Sequence, residues 1–266
     1  MDSLRPRFRD LHGSGTLLLA NAWDVGSARI LATMGFSALA TTSAGFAASL
    51  GRMDQQITRD ELVNHVAALT AAIDIPLNVD AENCFAARAE DIGETVDLLA
   101  EAGASGLSIE DWDPLAQRLE STEAAVERVQ AAAQACARHG IVLTGRAENH
   151  LHGVHDLDDT IDRLQRYVAA GAEVAYAPGL RSLDQISRVV AEVAAPINHL
   201  TLRKEPTVAE LRAAGVRRVS VGGLFAFAAY GALARAATEL LEQASLSFID
   251  GVLPPDLRTA AFAPRP

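Results

Sequence analysis

The sequence predicts one (β/α)8 barrel of the TIM type, and three observations carry that prediction. Eight short apolar runs alternate with eight helical runs along 266 residues, the pattern of parallel strands joined by helices. Four helical runs stop at one signal just before the next strand: Met34-Gly35-Phe36, Ala102-Gly103-Ala104, Ala170-Gly171-Ala172 and Ala214-Gly215-Val216. Glycine there accepts the left-handed turn that ends a helix. The first strand is not followed by the glycine-rich phosphate loop of a doubly wound sheet, so eight units in this length favour a closed barrel. The barrel is expected over residues 1–243, with a tail over 244–266 that carries Pro254-Pro255 and Pro264.

Each element has its own signal. Thr16 to Asn21 reads as the first strand, and Asp24 caps a helix from Val25 to Met34. Ser37 to Ser43 is the second strand, ending in Ala44-Gly45. A longer connection with Arg52, Asp54 and Gln55-Gln56 leads to Thr58, which caps the helix Arg59 to Ala72 with Glu61 at the capping-box position. Pro76 to Glu82 is the third strand and Asp91 to Ala102 the helix after it. Gly106 to Asp111 is the fourth strand. A loop through Trp112-Asp113-Pro114 reaches Ser121, the cap of the helix Thr122 to Arg138. Ile141 to Glu148 is the fifth strand, and Asp156 or Asp158 opens a helix to Ala170. Val174 to Gly179 is the sixth, followed by a helix from Ser182 to Val193. Pro196 to Leu200 is the seventh, followed by a short helix from Thr207 to Ala214. Arg218 to Gly223 is the eighth, its Gly222-Gly223 pair reading as a tight turn rather than a phosphate site. A long last helix covers Leu224 to Gln243.

A net charge of −11 argues against nucleic acid as a partner. Anionic small molecules stay open, because a bound cation reverses the local field. Two cysteines, Cys84 and Cys136, form neither a disulfide framework nor a zinc set, and fit a reducing cytoplasm. Met1 to Gly15 has no apolar signal core, and no apolar run reads as long enough to cross a membrane.

The chemistry gathers at the strand ends, where barrel active sites lie. Asp80 and Glu82 share one face of the third strand. Two like charges so close call for a cation, and Mg²⁺, with Mn²⁺ as the alternative, suits oxygen ligands. The other strand ends add Ser43, Glu110, Arg146, Glu148 and Asn198, and Asp54 comes from the loop after the second strand. Arg146 could fork onto a substrate carboxylate. Ser43 with the amides of Ala44 and Gly45 would make a small anion cradle. Asn198 is expected to point into the pocket and His199 away from it. Plainer readings cover the rest. Cys84 is a small hydrophobe, His150, His152 and His155 form a solvated rim, and Tyr176 is barrel packing. Asp111 faces the helices, and Trp23 and Trp112 wall the pocket or pack under loops. The site reads as built for a small metal-chelating carboxylate such as a 2-oxo acid.

These residues in this order resemble the isocitrate lyase/phosphoenolpyruvate mutase superfamily: Asn21-Ala22-Trp23-Asp24 with Ser27-Ala28-Arg29, Thr42-Ser43-Ala44-Gly45, Asp54, Asp80-Ala81-Glu82, Ile109-Glu110-Asp111, Arg146 and Asn198. The resemblance implies Asp80 as the direct metal ligand, and Glu82 and Glu110 holding the ion mainly through water. It implies Ser43, the amides after it and Arg146 on the substrate carboxylate, and Asp54 near the reacting end. It further implies a homo-oligomer, a dimer or tetramer, in which the last helix is exchanged between subunits. The sequence departs from the family pattern at Glu82, where aspartate is usual, and at Cys84 and Ala86, where glycines are usual. The stretch from Asp111 to Leu119 also lacks the cysteine, histidine and lysine of the isocitrate lyase catalytic loop. The expectation is therefore a lyase or hydrolase of an oxaloacetate- or phosphonopyruvate-like acid acting through an enolate. The alternatives are a mutase, a 2-methylisocitrate lyase, or a barrel that binds an oxo acid without turnover.

Overall fold

The computed structural model describes residues 3–13 and 15–264; both expected segments, 1–243 and 244–266, extend beyond these at their outer ends. Eight parallel strands close a barrel: β1 (Leu17–Asn21), β2 (Leu39–Ala40), β3 (Leu77–Asp80), β4 (Gly106–Glu110), β5 (Val142–Arg146), β6 (Val174–Tyr176), β7 (Ile197–Leu200) and β8 (Arg218–Ser220). They pair in chain order, and β8 closes onto β1 with Leu17 opposite Arg218 and Leu19 opposite Ser220. The expected (β/α)8 barrel is the observed fold.

The helices start where the caps predict. Thr58 and Glu61 form a capping box at Arg59–Ala72, and Asp24 and Ser27 form another at Val25–Thr33. Asp156, not Asp158, caps Leu157–Ala169. Each cap satisfies an amide that the first helical turn leaves open. The main core lies between strands and helices, where Val79, Leu107, Ile109, Leu143 and Val219 meet Leu62, Val66, Leu99 and Leu164.

Four expectations need correction. The second strand is two residues long rather than Ser37 to Ser43: from Ser43 the chain is helical to Ser49, because Thr42 accepts from the Gly45 amide and caps a new turn. The connection after β4 is a hairpin, Trp112–Asp113 pairing with Arg118–Leu119. A helix not anticipated, Leu4–Asp10, closes the bottom of the barrel. Its fully buried Phe8 fills the space beside Gly106, where a Cβ would lie 2.3 Å from the ring. Arg5 ties that helix down by donating to the carbonyls of Ala100, Ala104 and His139.

The fourth correction concerns Leu224–Gln243. At 20 residues it is long and apolar enough to meet the length and hydropathy of a membrane span. Only Ala226 is buried on it, while Leu233 and Leu241 are exposed. The chain after it folds back as Pro255–Phe262 against Val25–Thr33.

Candidate active site

A cavity of about 270 Å³ opens at the carboxyl ends of the strands. Asp80 stands on its wall at the end of β3. Its Oδ2 accepts from the Ser43 amide at 3.1 Å, and its Oδ1 accepts from Arg146 Nη1 at 2.5 Å. Arg146, at the end of β5, reaches three carboxylates at once. Beyond Asp80, its Nη2 lies 3.1 Å from Glu110 Oε2 and its Nε 2.9 Å from Glu148 Oε1. The guanidinium also lies over the Tyr176 ring, 5.1 Å from its centroid, a cation–π contact.

Glu82 and Glu110 belong to this cluster but do not line the cavity. The chain leaves β3 at Ala81, and Glu82 takes a left-handed backbone (φ 49°) that turns it behind Asp80. Its carbonyl accepts from the Glu110 amide, which seats the two acids together. Glu110 Oε1 accepts from Gln55 at 3.1 Å. Glu82 Oε1 is buried with no hydrogen-bond partner, an orphaned acceptor that ordinarily costs a few kcal/mol or calls for a ligand.

The electrostatics follow from five carboxylates around one arginine. Burial, then the charges of Asp80 and Asp54, push the Glu82 carboxyl up to about 8. Burial raises Glu110 well above the usual carboxylate range, with Arg146 pulling the other way. Burial also raises Glu148 to about 7 against the pull of Arg146. Partial desolvation at the mouth of the cavity, then Asp80, raise Asp54, while the Ser43 side chain lowers it. Arg146 itself is raised: burial opposes its charge, and Glu148, Glu110 and Asp80 outweigh burial. Excess negative charge of this kind is what a divalent cation neutralises. Among the described residues no three His, Cys, Asp or Glu side chains converge into a ready cage. Mg²⁺ ordinarily keeps several of its waters and takes only one or two carboxylates directly.

Other expected residues divide. Asp54, Ser43, Ala44 and Asn198 line the cavity. Asn198 faces inward, donating to Ser220 and accepting from Arg218, whereas His199 lines a separate cleft. Gly45 does not line the cavity. Its amide donates to Thr42 Oγ1, and a side chain there would meet Thr42 Cγ2 at 2.6 Å and Ala226 Cβ at 3.2 Å. Gly45 therefore lets the last helix approach, and the cradle reduces to Ser43 and Ala44. The Gly222-Gly223 turn is also taken, since the Val221 and Gly222 amides donate to Asn21 Oδ1. The three histidines are not a uniform rim: His150 is buried, and His152 stacks on Trp112 with centroids 3.4 Å apart. Asp111 faces the helices, accepting from Arg163 and Tyr167 on its outer side and from the Glu148 amide.

Sequence reasoning misses Tyr176 and Arg218 at the site, and names Glu148 at a strand end without giving it a task there. Tyr176 lines the cavity beneath Arg146. Glu148, a strand-end acid, completes the arginine's shell. Arg218 lines the cavity from the amino end of β8. The signal for Arg218 is strand parity, because it shares a face with Ser220.

Comparison with known proteins assigns the family and the fold. Residues 8–241 match the family model of phosphoenolpyruvate phosphomutase. An oxaloacetate decarboxylase of Rhodopseudomonas palustris (strain BisB5) is 30% identical over 261 residues, covering 95% of this chain and 87% of that protein. A 2-methylisocitrate lyase of Salmonella typhimurium is 31% identical over 237 residues, covering 84% and 78%. A crystal structure from Burkholderia cenocepacia J2315, provisionally described as a lyase/mutase, superposes with a TM-score of 0.94 at 44% identity. It covers 98% of this chain and 96% of that one.

Proposed function

The chain belongs to the phosphoenolpyruvate phosphomutase family, within the isocitrate lyase/phosphoenolpyruvate mutase superfamily of lyases and mutases, and from that membership we propose a divalent-metal-dependent lyase or hydrolase of a small 2-oxo carboxylate, oxaloacetate-like or phosphonopyruvate-like. The observation that supports this most is the surplus of carboxylates over one arginine, with Glu82 Oε1 buried and unpartnered.

In this reading Asp80 would hold Mg²⁺ directly, and Glu82 and Glu110 would hold it mainly through water. When bound, the ion supplies Lewis-acid polarisation of the substrate's oxo and carboxylate oxygens. The Ser43 hydroxyl and the Ala44 amide orient the carboxylate as hydrogen-bond donors. Arg146 keeps Asp80, Glu110 and Glu148 in register and adds positive charge beside that carboxylate. Asn198 donates from the opposite wall. Asp54 carries the mobile proton at the mouth, its raised pKa suiting a group that gives and takes one. Leu151, Leu202, Leu224 and Phe227 surround the opening with apolar surface that excludes water. The apolar helix Leu224–Gln243, with one buried residue, supports a homo-oligomer in which a second copy covers it.

A 2-methylisocitrate-lyase-like reaction is the second reading, favoured by the Salmonella relative. Against it, the hairpin after β4 carries no cysteine, histidine or lysine to act as the acid.

The test is pyruvate release with Mg²⁺ from oxaloacetate, phosphonopyruvate and 2-methylisocitrate in parallel. Release from either of the first two, abolished by chelator, is the expected result. Release from 2-methylisocitrate alone moves the assignment to the second reading. Silence with all three, together with tight 2-oxo acid binding, overturns catalysis in favour of a binding protein.

A further inference from the structure

Arg218 has no place in the chemistry above, yet it lines the same cavity. It is among the largest fully buried side chains of the chain. Every hydrogen-bond partner of its guanidinium is neutral. Nε donates to Asn198 Oδ1 at 2.9 Å and Nη2 donates to Thr144 Oγ1 at 2.9 Å. Nη1 lies 3.4 Å from His12 Nε2. The other ring nitrogen of His12 meets the Phe8 carbonyl at 2.9 Å and so carries the proton, which leaves Nε2 as an acceptor. Among the described residues no carboxylate is placed against Arg218.

A guanidinium has five N–H groups. Three are engaged here, so each terminal nitrogen keeps one free, on a residue that faces the cavity. A buried cation without a counter-charge is costly, and burial lowers the Arg218 pKa only to about 10, so it stays charged at neutral pH. Elsewhere on the cavity wall, Asn78 Oδ1 is also buried and unpartnered. The polar wall therefore has two poles: the acids with Arg146 at one, and an uncompensated arginine at the other.

We propose that Arg218 is an anion subsite that holds the distal carboxylate of the substrate, so that the cavity selects 2-oxo dicarboxylates over 2-oxo monocarboxylates. The inference rests on the reading of the cavity as a 2-oxo acid site. Within that reading, the proximal 2-oxo acid end sits at the acid cluster and Ser43. The second carboxylate lies along the Asn198–Ser220 wall and takes the two free N–H groups.

The test uses two stable ligands of equal length, 2-oxoglutarate and 2-oxovalerate, which differ by a carboxylate against a methyl group. Their affinities for the Mg²⁺-loaded protein are measured by titration calorimetry, with the melting temperature recorded for each variant. The wild type is expected to bind 2-oxoglutarate more tightly by about 10-fold to 100-fold, the range for a charge-assisted hydrogen bond. Arg218→Met brings the ratio to about one while 2-oxovalerate affinity persists, and Arg218→Lys, which keeps the charge, restores part of it. If the wild type binds both ligands equally, the subsite is overturned and the 2-oxo acid site stands. If it binds neither, both fall. If Arg218→Met weakens both ligands by the same factor, Arg218 is only a brace between strands. If that variant does not fold, an unchanged ratio in Arg218→Lys and a wild-type ratio of one overturn the proposal equally.

Discussion

Arg146 and Arg218 stand on the wall of one cavity in opposite surroundings. Arg146 is reached by three carboxylates and lies over an aromatic face; Arg218 touches an asparagine, a threonine and a neutral histidine. Arg218 is buried and the Arg146 side chain is only 11% exposed, so solvation barely distinguishes them. The difference lies in where each counter-charge comes from. Arg146 holds protein charges in place, and its removal leaves acids facing one another. Arg218 has no protein anion to hold, which is why its surroundings point to a ligand.

The comparison can be broken in three ways, from the largest expected effect down. Arg146→Met leaves Glu110 and Glu148 buried without their cation. Loss of one partner from a buried ion pair costs about 3–5 kcal/mol, read as a lowered urea midpoint at neutral pH; an unchanged midpoint would show that the acids are already compensated. Asp80→Ala removes the carboxylate between Ser43 and Arg146 and the proposed direct ligand. Turnover should fall by roughly 10²- to 10³-fold, with Mg²⁺ no longer raising the melting temperature. Retained Mg²⁺ stabilisation would move the metal away from Asp80.

The third concerns the Arg218 end. Burial, then the charge of Arg218, lower His12 to about 4. Its folded pKa lies below the unfolded value of 6.5, so the unfolded chain binds more protons between those values. Stability is therefore full above about pH 6.5 and is lost as pH falls toward 4. His65 and His199, also lowered to about 4 by burial, act in the same window. His12→Gln should flatten the stability–pH slope there by about 1.4 kcal/mol per pH unit. An unchanged slope would show that His12 does not protonate on unfolding.

Much of this arrangement is legible from short-range pattern. Thr58 with Glu61 and Asp24 with Ser27 are capping signals whose geometry spans one turn, so no distant residue can change them. Asp80, Glu110 and Arg146 are legible because parallel barrel strands bring their carboxyl ends together. What is not legible is partly local, a cap hidden inside an apolar run, and partly a matter of neighbours remote in sequence. Ser43 starts a helix, although the residues before it read as strand, because Thr42 caps it. The Gly45 amide reads as free in the sequence and is capped in the fold. Leu4–Asp10 is only seven residues long, its apolar Leu4 and Phe8 one turn apart, and its one buried anchor, Phe8, gains its meaning against Gly106 of β4.

The sequence by itself determined the eight-unit alternation, the helix starts and the strand ends that carry the acids, because hydrophobic periodicity and capping act within a few residues. Only the tertiary structure decided that Arg146 is surrounded by three acids, that Glu82 turns behind Asp80, and that Arg218 reaches the cavity without a counter-charge. Those depend on barrel closure, which places β8 beside β1 and β5 opposite both. The charge that a buried side chain meets is set by residues remote in the chain, and no local pattern encodes it.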